Sequence, residues 1–127
     1  MTAKDAERCL KRTGANGVMY ARGALADPRI FAHDANRRRL AAGLPMLPVP
    51  AVCDVIRRHA ALCREYADDR RALLRMRTSV PRYLRELPGC RALRDRLCHC
   101  NSWEALQAIV DEAEQLATRP DMSGDFL

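Results

Sequence analysis

The sequence predicts a mostly α protein: one short buried-type strand near the start, as at the end of an α/β domain, then a small helical bundle. Three observations predict it. Beyond residue 51, apolar residues recur at helical spacing through several stretches separated by Gly, Pro or capping residues. Val18-Met19-Tyr20-Ala21 is a short, nearly all-apolar run, the mark of a strand covered on both faces in a parallel sheet. Leu44-Pro45-Met46-Leu47-Pro48-Val49-Pro50 places three prolines in seven residues, which no helix interior accommodates and which reads as an extended linker. The expected organisation is therefore 1–43, a linker at 44–50, a helical domain at 51–117 and a flexible tail at 118–127.

Thr2 and Asp5 have the spacing of a capping box, and Ala6, Cys9, Leu10 and Thr13 then share one helical stripe. Gly14 ends that helix, because a residue without Cβ enters the left-handed conformation freely. After the Ala15-Asn16-Gly17 turn and the strand, Arg22-Gly23-Ala24-Leu25-Ala26 opens a short helix that breaks near Asp27-Pro28. An amphipathic piece from Ile30 to Ala42 ends at Gly43. Val52, Val55, Ile56, His59, Leu62, Cys63 and Tyr66 form the next stripe. Leu73, Leu74, Met76, Val80, Leu84 and Leu87 form another, which Pro81 is expected to kink or split. Leu93 and Leu97 anchor a short helix after Pro88-Gly89. Asn101 or Ser102 caps the last helix, whose stripe is Trp103, Leu106, Ile109, Val110, Ala113 and Leu116. A lone parallel strand would leave its backbone groups unpaired, so the first third reads as the end of a larger α/β domain.

Charge supplies a functional clue. Of 22 basic residues 20 are Arg, and the formal net charge is +6. Residues 1–99 hold 21 basic and 10 acidic side chains, whereas residues 100–127 hold only Arg119 against six acids. Guanidinium groups fork onto phosphate oxygens and stack on bases, so a basic body with an acidic last helix suits an RNA-facing module. Solvated helix faces are the other reading of the same charges. No apolar run approaches the ~18 residues of a membrane span. The first eight residues lack the apolar core of a signal peptide. Six cysteines without a secretory signal read as reduced thiols, and the expected compartment is the cytoplasm.

The segment Thr13-Gly14-Ala15-Asn16-Gly17-Val18-Met19-Tyr20-Ala21-Arg22-Gly23-Ala24-Leu25-Ala26-Asp27-Pro28-Arg29-Ile30-Phe31 resembles the last barrel strand and phosphate helix of the bacterial tRNA-dihydrouridine synthases. Tyr83-Leu84-Arg85-Glu86-Leu87-Pro88-Gly89 and Leu93-Arg94-Asp95-Arg96-Leu97 look like the helical C-terminal domain of the same family. The resemblance runs from about Thr2 to Leu116. It implies that the first part is the terminal βα unit of a (β/α)8 barrel, a fold that needs about 250 residues. It also implies an FMN-dependent reduction of uridine to dihydrouridine in tRNA, with NADPH re-reducing the flavin.

By this resemblance Ala21, Arg22 and Gly23 hold the FMN phosphate. The physical logic is that helix N-termini favour anions, glycine permits close approach, and an Arg adds a charge-assisted hydrogen bond. The family often has Gly where this chain has Ala21. Its acid cysteine, and the Lys and His near base and flavin, have no counterpart in this sequence, so no catalytic residue is assigned. The chain reads as the C-terminal third of an enzyme, inactive alone and weak or absent in FMN binding by itself.

Arg57, Arg58, Arg70, Arg71, Arg75, Arg77, Arg82 and Arg85, on successive helices, are the candidate RNA-binding residues. Arg77-Thr78-Ser79 stands where relatives often show Arg-Lys-His. Cys98-His99-Cys100 is too tight for the usual zinc pair and has no second pair, so no metal site is assigned. Cys53 and Cys63 read as small buried thiols, and His59 as a satisfied core histidine. The leading expectation is the C-terminal part of a tRNA-dihydrouridine synthase, with tRNA as partner and no membrane or metal. The alternative is a stand-alone helical RNA-binding module without catalysis. A non-functional remnant would instead expose the apolar surface of Val18, Met19 and Tyr20.

Overall fold

The computed structural model describes residues 1–119. They form seven helices: α1 (Ala3–Thr13), α2 (Arg22–Ala26), α3 (Ile30–Ala41), α4 (Val52–Tyr66), α5 (Asp69–Tyr83), α6 (Arg91–His99) and α7 (Trp103–Thr118). The chain divides into two compact units, Met1–Val55 and Ile56 onward.

In the first unit the Thr2 hydroxyl accepts from the Asp5 amide, and the Asp5 carboxylate accepts from the Thr2 amide at 2.8 Å. Those hydrogen bonds hold the Asp5 carboxyl below its usual range. Gly14 closes α1 at φ 68° and donates its N–H to Leu10. α1 and α2 both pack on α3, with Ala6 and Ile30 buried. Asn36, buried on α3, is hydrogen-bonded to both backbone groups of Leu47: its Nδ2 donates to the carbonyl at 2.8 Å and its Oδ1 accepts from the amide at 2.7 Å. Arg39 Nε donates to the Pro45 carbonyl at 2.7 Å. The proline-rich segment 44–50 thus carries no regular structure yet is fastened to α3.

The strand expected at Val18–Ala21 does not form, and no strand occurs among the described residues. A strand is defined by its ladder, and no neighbouring strand within the described residues accepts or donates to this one. The segment keeps only a two-sided character. Tyr20 turns inward, edge-on to Phe31 with ring centroids 5.7 Å apart, while Met19 is 82% exposed.

The second unit is built on α5, α6 and α7, with α5 packed on α6 and α6 on α7. Ile56, Met76, Val80, Leu84, Leu97 and Val110 are its large, fully buried side chains. Asp68 and Ser102 cap α5 and α7 through side-chain oxygens that accept the amides of Arg71 and Ala105. Pro81 neither splits nor ends α5, which continues to Tyr83. It sits in the last turn, where the missing N–H leaves one carbonyl, four residues back, without its helical donor. Tyr66 and Leu74, expected on buried stripes, are 80% and 49% exposed. Tyr66 is the final residue of α4, and Leu74 faces away from the Ala72–Met76–Val80 row. Trp103 and Leu116 are half-buried rather than buried. The tail expected from Thr118 lies, from residue 120 on, outside the described residues.

Candidate functional site

Two places carry the candidate residues, one in each unit. In the first, Ala21 stands as N-cap of α2 with no side-chain cap. The Ala21 carbonyl accepts from Ala24 and Leu25, while the amides of Arg22 and Gly23 have no acceptor among the described residues. The Arg22 side chain is exposed and has no ion pair among the described residues. Amides without an acceptor beside an exposed guanidinium form a donor set that an anionic group could use. Gly23 has a packing reason of its own. A Cβ on it would lie 2.6 Å from the Met1 carbonyl oxygen and 3.2 Å from Ile30 Cδ1, so only glycine lets that backbone approach.

Between α1, the segment 16–20 and α3 lies a cavity of about 330 Å³ lined by Tyr20, Phe31, Asp34 and Arg37 among others. The Tyr20 hydroxyl donates to Asp34 at 3.1 Å, and Arg37 Nη2 donates to the same carboxylate oxygen at 2.9 Å. Burial works to raise the Asp34 carboxyl, but those hydrogen bonds and the Arg37 and Arg38 charges outweigh it and hold it low. Burial, then the Asp34 partner, pushes the Tyr20 phenol up. The cluster locks the extended segment to α3.

In the second unit the eight candidate arginines separate. Arg71, Arg75 and Arg82 fall on one face of α5, and Arg85 continues that row just past the helix end, at spacings of four, seven and three. This face lies opposite the buried Ala72–Met76–Val80 row, and all four side chains are exposed. Among the described residues only Arg71 of the four has a carboxylate neighbour, Asp68 at 3.3 Å, in an exposed pair. Such a pair contributes about 0–1 kcal/mol and yields readily to a phosphate. Arg58 on α4 and Arg70 on α5 are also exposed and have no ion pair among the described residues, but face elsewhere.

Arg57 and Arg77 are engaged internally. Arg57 donates to Glu114 at 2.7 and 3.0 Å and to Asp111 at 2.9 Å, tying α4 to α7. Those hydrogen bonds raise its pKa further and lower both carboxyls. Arg77 donates to the Cys98 carbonyl on α6. Cys98 is exposed while Cys100 is buried, and His99 Nδ1 is hydrogen-bonded to the Asp95 carbonyl at 2.9 Å.

One feature has no signal in the sequence. Arg64 on α4 stacks over Trp103 of α7, 39 positions later, with its guanidinium carbon 4.7 Å from the ring centroid. The two lie in a groove of about 570 Å³ between α4 and α7. Helical periodicity marks both helices but not which residues meet across them.

Residues 1–118 match the family described as Dihydrouridine synthase (Dus). A "Probable tRNA-dihydrouridine synthase" of Mycobacterium tuberculosis (strain ATCC 25618 / H37Rv) is 29% identical over 125 residues, covering 94% of this chain and 31% of that protein. One of the same description from Aquifex aeolicus (strain VF5) is 26% identical over 112 residues, 88% of this chain and 34% of its own length. "Probable tRNA-dihydrouridine synthase 1" of Synechocystis sp. (strain ATCC 27184 / PCC 6803 / Kazusa) is 30% identical over 111 residues, 83% of this chain and 29% of its own. The chain thus spans about a third of the length of the curated relatives it matches. No solved structure gives a significant match.

Proposed function

This chain belongs to the dihydrouridine synthase family, and we propose that it supplies the tRNA-docking helical part and one flank of the flavin phosphate site of a tRNA-dihydrouridine synthase. The observation that carries the reading is the arginine row of α5: Arg71, Arg75, Arg82 and Arg85 stand exposed on one face, three of them with no carboxylate partner among the described residues. A row of unopposed guanidinium groups along a helix tracks a phosphate backbone by charge and shape. Arg58 and Arg70 add to the positive field without joining the row, whereas Arg57 and Arg77 brace the fold beneath it.

In the first unit, which we read as the terminal βα unit of a (β/α)8 barrel, Ala21, Arg22 and Gly23 would hold the FMN phosphate. The Arg22 and Gly23 amides donate, and the Arg22 guanidinium balances charge. A bound FMN, once reduced by NADPH, would supply the hydride chemistry for the reduction of uridine. Gly23 keeps the turn in place against Met1 and Ile30. The domain scheme that goes with this reading is 1–43 for the barrel part, 44–50 as the connecting strap and 51–117 as the docking domain.

The test is reconstitution. A polypeptide carrying the other two-thirds of the Mycobacterium tuberculosis relative, mixed with this chain, FMN and NADPH, is expected to form dihydrouridine in tRNA. Arg75→Glu together with Arg82→Glu is expected to raise the KM for tRNA at least tenfold. A mixture that binds tRNA but reduces nothing would favour the second reading, a stand-alone RNA-binding module. That reading is favoured by the separate core of the second unit.

A further inference from the structure

We propose that the groove between α4 and α7 receives one unpaired nucleobase of a bound RNA, with Trp103 as its stacking platform; this rests on the tRNA-docking reading above. The groove, about 570 Å³, has the size of a small-ligand site. Its walls are short, with Ala60 and Ala61 on the α4 side and Ala108 on α7, so that Arg64 is the side chain that covers the indole.

Trp103 is the only tryptophan in the chain and is half-buried. Its Nε1 is buried without a hydrogen-bond partner among the described residues, so no hydrogen bond from the indole fixes the ring in its present position. Arg64 covers the ring and is itself steered by Asp69, which accepts from Nε at 3.1 Å and from Nη2 at 3.3 Å. Both Arg64 and Asp69 are substantially exposed, so this cover is held only by a solvent-screened pair. A base that takes the place of Arg64 on the indole exchanges a weak exposed cation–π contact for a full stacking partner, and the freed guanidinium lies beside the incoming phosphate.

Charge selects a base rather than a phosphate for the groove itself. Arg57 and Arg64 are matched by Glu104 and Asp111, and Arg57 is already committed to Asp111 and Glu114. The groove is therefore close to neutral, flat on its aromatic wall, and rimmed by Gln107, whose amide donates to Asp111 at 2.8 Å. A neutral π-faced group with hydrogen-bonding edges fits such a site. In RNA that description belongs to a base splayed out of a loop or bulge.

The single tryptophan makes the experiment direct. The full chain is titrated with a stem-loop RNA and with a blunt duplex of equal length, reading Trp103 emission and, separately, the anisotropy of labelled RNA. The expected result is quenching by the stem-loop alone, with the same midpoint as its binding. About a tenfold preference for the stem-loop is also expected, as one stacked base provides. Ala61→Arg, an exposed position that adds charge while blocking the groove, is expected to abolish both quenching and preference without weakening duplex binding. Stem-loop binding with unchanged Trp103 emission, or equal quenching by the duplex, overturns the groove assignment alone. If neither RNA binds, the docking reading falls and this one with it.

Discussion

Asn36 shows how one side chain fixes a segment that composition alone leaves loose. Its amide is hydrogen-bonded to both the N–H and the C=O of Leu47 and is buried. Asn36→Ala is expected to destabilise the first unit by about 1–3 kcal/mol, the net worth of two hydrogen bonds at about 0.5–1.5 kcal/mol each. Denaturant unfolding and faster hydrogen exchange at the Leu47 amide would register it. His59 makes a second case. Its Nδ1 lies 3.0 Å from the Tyr83 hydroxyl, and burial lowers its pKa from 6.5. With the folded value depressed, the unfolded chain takes up the proton first, so stability is lost as pH falls from about 6.5 through the folded value. Unfolding midpoints measured from pH 8 to pH 5 are expected to drop, and His59→Gln to flatten that drop. His59 is half-buried rather than in the core its helical stripe suggests, and its pairing with Tyr83 is not legible because it crosses 24 residues.

Elements were legible where their signals are local. Thr2 with Asp5, Gly14 and Ser102 mark helix ends by chemistry confined to a few neighbouring residues, and each cap forms. Ser102→Ala is expected to lower stability by about 1 kcal/mol, seen as an earlier thermal midpoint with α7 still helical. Where an element depends on a distant partner, the pattern misleads. Val18–Ala21 carries the composition of a buried strand, yet composition cannot supply the ladder that a strand needs. Pro81 reads as a break but falls in a last turn, where its missing donor matters little. Stripe membership also overreaches at helix ends, as Tyr66 shows: periodicity continues after packing neighbours have run out.

Across the whole molecule, the charge excess reads as a surface for nucleic acid, but which arginines face outward is a tertiary property. The candidate row Arg71, Arg75, Arg82 and Arg85 could be drawn on a helical wheel once α5 was placed. The commitment of Arg57 to Asp111 and Glu114 could not, since those acids lie more than fifty residues away. Arg57→Ala is therefore expected to lower the unfolding midpoint, with a smaller loss of tRNA affinity than Arg75→Glu together with Arg82→Glu. The Ala21–Gly23 turn stands out only through the resemblance, and the packing of Gly23 against the Met1 carbonyl has no signal in the sequence.

The most direct test of the docking role is the salt dependence of tRNA binding, comparing the full chain with the variant carrying Arg75→Glu, Arg82→Glu and Arg85→Glu. Each phosphate neutralised contributes about 0.7–0.9 to the slope of log K against log salt concentration. The account predicts tight binding at low salt and a steep slope, with the variant losing about two units of slope and at least tenfold in affinity. An identical slope and affinity in the variant would contradict it.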